Sequence, residues 1–190
     1  MTESLWDNPG VAREIDGYWH TNGEIQIRKA TVKTIAGVLF PGSILEVGCG
    51  SGQVYGALKD AELMEGRKYV GGDLSREMLK MARNRYPEVK FKKMDILSLG
   101  KEHANNVLCI HVLQHLVDYR PAVSELLRVT DKLLYIAAWF ADKDTTSTSD
   151  KFGVPDNFIG RNTLVDYIHS IEPSASISWF LPVNALCVRL

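Results

Sequence analysis

The stretch that most constrains this chain is Ile44-Leu45-Glu46-Val47-Gly48-Cys49-Gly50-Ser51-Gly52. A short apolar run passes straight into glycines at every second position. That pattern predicts a buried strand ending in a tight turn. Gln53 to Leu63 then reads as a helix, so the turn joins a strand to a helix. Glycines there let a ligand approach the backbone without meeting a Cβ, and the helix start offers unpaired N–H groups. Taken alone, a connecting turn with nothing bound explains the run equally well, because a lone G-x-G is a weak signal.

The rest of the chain repeats the alternation. Glu24 to Leu39 has near-helical apolar spacing and ends near Gly37 and Pro41-Gly42. Lys68 to Asp73 reads as a second strand, and Ser75 caps a helix running to Arg85 with Met78, Leu79, Met81 and Ala82 inward. Val89 to Met94, Asn106 to Val112 and Leu133 to Phe140 read as strands three to five, with a helix over Arg120 to Val129. The polar segment 141–160 has no periodicity. A helix over Thr163 to Ile171 precedes a hairpin, Ala175 to Leu181 and Ala185 to Leu190. Strands alternating with helices predict an α/β, doubly wound, mostly parallel sheet. A length of 190 residues suits one domain over 1–190: an aromatic N-terminal segment (1–23) ahead of a core (24–190).

Charge narrows the partners. A formal net charge of −1 lacks the basic excess of a phosphate-backbone binder, so nucleic acid is disfavoured. No apolar run reaches the ~20 residues of a membrane span, and the acidic start resembles no leader, which predicts a cytoplasmic protein. Cys49, Cys109 and Cys187 lie far apart in apolar or glycine-rich segments, which predicts buried free thiols and no zinc site.

In doubly wound sheets ligands bind at the carboxyl ends of the strands. The glycine turn, Asp73, Asp95 and His111 all fall at or just after such ends. Asp73 follows the last glycine by about twenty residues, the offset at which a carboxylate meets a ribose diol. Asp95-Ile96 ends the neighbouring strand, within reach of the base of the same nucleoside.

Glu46-x-Gly48-x-Gly50-x-Gly52, Asp73, Asp95 and Val112-Leu113-Gln114-His115-Leu116, in that order, resemble a class I S-adenosylmethionine-dependent methyltransferase. The resemblance runs from about residue 24 to the end. It implies a Rossmann-like seven-stranded sheet whose last strand is antiparallel, and S-adenosylmethionine as cofactor. It also implies cofactor contacts from Glu46, Gly48, Cys49, Gly50 and Gly52 at the methionine end. Asp73 would hold the ribose, Asp95 the adenine amino group with Ile96 beside it, and the backbone around Ile110 and His111 the methionine amino group, with Leu74 and Met78 among the cofactor contacts. The sequence departs from the family where Asn105-Asn106 replaces the acidic residue that often opens strand four, a position away from the ligand rim. Strand four runs into Ile110-His111-Val112-Leu113, without the N-P-P-Y-like motif or catalytic Cys of nucleic-acid methylating relatives.

Methyl transfer needs an oriented acceptor, excluded water and, for some acceptors, a general base. His111 is the first base candidate, as an imidazole with a pKa near working pH; Tyr18 and His20 are weaker ones. Trp6, Tyr18 and Trp19 are expected to close over the cofactor. Trp19, His115, Trp139, Phe140 and Phe152 are expected to shape the pocket of a small-molecule acceptor, with 141–160 as the substrate-side loop. Asp142, Asp144 and Asp150 read as solvated loop charges, without metal-ligand spacing. A nicotinamide-dependent oxidoreductase stays open, although Gln53 stands where G-x-G-x-x-G requires its last glycine. So does a non-catalytic nucleoside-binding module.

Overall fold

In the central strands successive side chains point to opposite faces, and both faces are apolar. In β4 (Ala104–Ile110), Val107 and Cys109 enter one core and Leu108 the other; in β5 (Thr130–Ala137), Leu134 and Ile136 oppose Tyr135 and Ala137. Two-sided burial requires a layer of helices on each face. The computed structural model describes residues 3–147 and 155–190; the Asp150 and Phe152 expected in the substrate-side loop lie outside them.

Among the described residues, seven strands form one sheet in the order β3-β2-β1-β4-β5-β9-β8. Here β1 is Ile44–Val47, β2 Tyr69–Asp73, β3 Lys90–Lys93, β8 Ser176–Phe180 and β9 Ala185–Arg189. The first five strands are mutually parallel, and β9 inserts antiparallel between β5 and β8. This is the Rossmann-like, mostly parallel sheet with an antiparallel terminal hairpin. Helices α3 (Asn22–Ala36), α4 (Gln53–Asp60) and α5 (Arg76–Arg85) cover one face through Ile35, Leu58 and Leu79. Helices α6 (Arg120–Arg128) and α7 (Arg161–Ile171) cover the other through Leu126, Leu164 and Ile168.

Local chemistry sets the element ends. Ser75 caps α5, its Oγ accepting from the Met78 N–H at 3.1 Å. Asn105 and Asn106 bind Ser43 and Phe40 at the amino end of the sheet, so they support the scaffold far from the ligand rim. The three cysteines are buried and unpaired.

Two regions are more ordered than their sequence implies. Residues 3–19 form α1 (Glu3–Trp6) and α2 (Pro9–Trp19), capped by Asn8. The segment after β5 forms a second, two-stranded sheet, β6 (Phe140–Ala141) with β7 (Ile159–Gly160). Asp144 is not merely a solvated charge: its Oδ1 accepts from the Gly160 N–H at 2.6 Å and fastens that segment. Asp142 is solvated, beside Arg161.

Candidate active site

Strand order reverses between β1 and β4: the chain builds outward to β2 and β3, then returns to β4. At that switch point the carboxyl ends diverge and leave a crevice. A cavity of about 580 Å³ occupies it.

The glycine turn forms its floor. Both Gly48 and Cys49 donate their N–H groups to the Gly72 carbonyl, at 2.7 and 2.9 Å, pinning the turn to the end of β2. Gly48 and Gly50 have φ of +81° and +51°, in the left-handed region that disfavours side chains. A Cβ at Gly48 would overlap the Val112 side chain, whereas a Cβ at Gly50 would meet no protein atom within 4 Å. Gly48 is therefore required by packing, and Gly50 leaves its space to the cavity it lines.

Asp73 closes β2 beside this turn. Its Oδ2 accepts from the Gly50 N–H at 2.7 Å and its Oδ1 from the Ser75 N–H at 2.9 Å. Burial raises its pKa while these two donors lower it. Each oxygen keeps a further lone pair, enough for two hydroxyls. Glu46, 1% exposed, lies deeper. Burial pushes its carboxyl up to about 8 against the lowering effect of the Tyr69 O–H donated to it, with the nearby Asp73 charge adding to the rise. Leu74, Met78, Asp95 and Ile96 continue this wall. Asp95 also accepts from the Leu97 N–H at 2.9 Å, so it acts as a turn cap and a wall residue together.

The opposite wall is built from side chains. His111, with φ +56°, stands between Trp19 and Trp139, ring centroids 5.5 and 5.2 Å away. His115 lies against Trp6 at 5.5 Å. Tyr18, Ile110 and Gln114 complete the lining there. Among the described residues, the ionisable groups facing the cavity are the carboxyls of Glu24, Glu46, Asp73, Asp95 and Asp156, with Arg28 the one guanidinium. Such a wall suits a cationic ligand.

Residues 45–134 match the methyltransferase domain family. Over that stretch the chain is similar to the methyltransferase domain family, and its sheet has the Rossmann-like fold of S-adenosylmethionine-dependent methyltransferases. Solved structures share its fold. DhpI, in its SAH complex, superposes with a TM-score of 0.72 at 16% identity, over 98% of this chain and 93% of that one. A TehB-like SAM-dependent methyltransferase from Corynebacterium glutamicum gives 0.66 at 15% identity, over 96% and 98%. The [4+2]-cyclase SpnF gives 0.63 at 18% identity, over 80% of this chain and 59% of that one. Identities this low speak to the fold alone. No curated protein matches the chain in sequence. The cofactor of this domain is S-adenosylmethionine. The chain meets that requirement locally, with an open cradle at Gly50, two acceptor oxygens at Asp73 and an excess of carboxylates for a sulfonium and an ammonium.

The methyltransferase cavity gathers most of the sequence-predicted residues and omits three. Gly52 packs against Tyr86 and Phe91 beneath the turn and does not line it. Phe140 turns into the core, edge-on to Trp179 at 5.0 Å, because neighbours along an extended chain face opposite ways and Trp139 takes the cavity side. His20 sits outside, its Nδ1 2.7 Å from the Asp16 carbonyl. Two base candidates lose their chemical premise. Burial, with His115 nearby, lowers His111 to about 4, away from working pH. The Tyr18 O–H donates to Glu24 at 2.7 Å; that bond and burial raise its pKa.

Sequence reasoning missed Arg28, Gln114 and Asp156 as cavity residues. Gln114 stood inside the quoted Val112–Leu116 run without a role. Arg28 falls in a helix read only for its apolar spacing. Asp156 falls in a segment read as featureless.

Proposed function

We propose that this enzyme transfers a methyl group from S-adenosylmethionine to a small-molecule acceptor by in-line displacement. The observation that carries the reading is the two-sided cavity at the switch point, with a backbone-built carboxylate wall facing an aromatic and imidazole wall. The bound cofactor supplies an electrophilic methyl on a sulfonium. The chain's task is then to hold, align and dry the reactants, which is worth up to ~7–11 kcal/mol of barrier in favourable cases.

Asp73 accepts from the two ribose hydroxyls and would repel a 2′-phosphate. Asp95 accepts from the adenine amino group while Ile96, Leu74 and Met78 pack on the ring. Glu46 and the turn at Gly48, Cys49 and Gly50 orient the methionine end, and the backbone at Ile110 and His111 receives its ammonium. Arg28, held at the Trp19 carbonyl at 3.0 Å, pairs with the methionine carboxylate. His111 stays neutral at pH 7 and positions the reactants between its two tryptophans.

The N-terminal segment acts as the lid, its residues 6–16 latched through polar contacts beside the cofactor wall. Asp16 accepts from Ser51 and Gln53 and pairs with Arg85 at 3.2 Å. Burial raises the Asp16 pKa, but the bonds from Ser51 and Arg85 outweigh it and keep the carboxyl ionised. The Ser75 Oγ donates to the Trp6 carbonyl at 2.5 Å, and Asp7 receives the Arg76 N–H at 2.6 Å.

The decisive assay incubates the enzyme with methyl-labelled cofactor and a metabolite extract, then separates the products by size. Label should enter the low-molecular-weight fraction. Label in protein or RNA contradicts a small-molecule acceptor.

A further inference from the structure

Among the described residues, two polar atoms in the side-chain wall have no protein partner. Gln114 Oε1 and Asp156 Oδ1 are both buried and without a hydrogen bond, and both residues line the cavity. Gln114 is 2% exposed. A buried acceptor left unmatched costs about 1–3 kcal/mol, so a retained pair points to a ligand that supplies donors.

The wall that carries them is fixed. The Asn157 N–H donates to the Gln114 carbonyl at 2.8 Å, and its Nδ2 donates to the Leu116 carbonyl at 2.7 Å. His115 Nδ1 lies 2.9 Å from the Pro155 carbonyl. A carbonyl only accepts, so Nδ1 carries the proton and Nε2 keeps a lone pair. Gln114 turns its Nε2 toward His111 Nδ1 at 3.5 Å, which leaves Oε1 as the atom seeking a donor. The wall is thus rich in acceptors, and the indoles of Trp6, Trp19 and Trp139 stand around it. Indole faces attract cations and apolar bodies alike.

Resting on the methyl-transfer reading, we propose that the acceptor is a primary or secondary amine on an apolar body, with Gln114 Oε1 and Asp156 Oδ1 receiving its N–H groups. An anionic acceptor would face Asp156 and Glu24, with no free cation among the described residues of that wall. An alcohol must lose its proton as it attacks, and burial lowers the basicity of both imidazoles, His111 and His115. An amine that enters as an ammonium first gives one proton to water, a far easier loss than an alcohol's. Its lone pair then forms the N–C bond as the C–S bond breaks, the S–C electron pair stays on sulfur, and the methylated ammonium sheds a second proton to solvent.

The test uses three probes with one ring and one spacer: phenethylamine, phenethyl alcohol and hydrocinnamate. Calorimetry measures each against the enzyme saturated with S-adenosylhomocysteine (SAH). The amine should bind about tenfold or more tighter than either other probe, as charge-assisted hydrogen bonds imply. Gln114→Leu and Asp156→Asn should each remove most of that preference while SAH affinity, which reports an intact fold, holds. An amine no better than its alcohol, including no binding by either, overturns the proposal. So does a substitution that weakens SAH and leaves the preference intact. Failure of the wild type to bind SAH would instead sink the cofactor assignment beneath it.

Discussion

The two walls of the cavity are made differently. The wall proposed for the cofactor comes from strand ends and backbone: the turn after β1, the Asp73 carboxylate held by two N–H groups, and Asp95 one strand over. The facing wall comes from side chains on four separate segments, Trp6 and Trp19 from the N-terminal helices, His111 and Gln114 after β4, Trp139 after β5, and Asp156. A nucleoside presents the same hydroxyls and ring whatever receives the methyl, so fixed backbone serves it. A variable acceptor is met by replaceable side chains.

The contrast is sharpest within the glycine turn. Gly48→Ala should cost roughly 2–5 kcal/mol of stability, from left-handed strain plus overlap with Val112. Gly50→Ala should cost only about 1–2 kcal/mol, the strain alone, yet weaken SAH by tenfold or more, since its methyl enters cofactor space. Denaturant titration and calorimetry on both variants check this, and equal profiles would break the distinction. On the side-chain wall, His111→Phe should leave SAH affinity near wild type. Its effect on turnover should stay well below the 10²–10⁴-fold loss of a general base. With His111 held at about 4, the rate should show no histidine inflection between pH 6 and 7.

A further effect separates the walls by pH. Glu46 is raised from 4.5 to about 8, so the folded protein holds a proton there that the unfolded chain releases. Stability from this group is complete below the unfolded value and lost as pH rises through the folded one. The slope is at most about 1.4 kcal/mol per pH unit between those limits. Glu46→Gln should flatten the decline, measured by denaturation across pH 5–8.

Much of this was legible in the sequence where local rules and tertiary structure agree. Val107 to Ile110 read as a buried strand, Ser75 as a helix cap, and glycines at 48 and 50 as the turn. The terminal hairpin was readable from two apolar runs around Pro182-Val183-Asn184. What escaped depended on long-range pairing. A two-residue pair such as β6 with β7 has no periodicity to detect, and Phe140 and Trp139 differ only by which side of the chain they take. His111 is a rim histidine by sequence, but burial, with His115 nearby, lowers its pKa, and its ring neighbours Trp19 and Trp139 are distant in the chain. Gln114 and Asp156 become informative only through the partners they lack.

Calorimetric titration of SAH into the wild type and into Asp73→Asn is the most direct test. The account predicts saturable binding by the wild type and a loss of about ten- to hundredfold in the variant, since the amide turns one hydroxyl acceptor into a donor. A folded Asp73→Asn protein with wild-type affinity would show that the nucleoside does not lie on this rim.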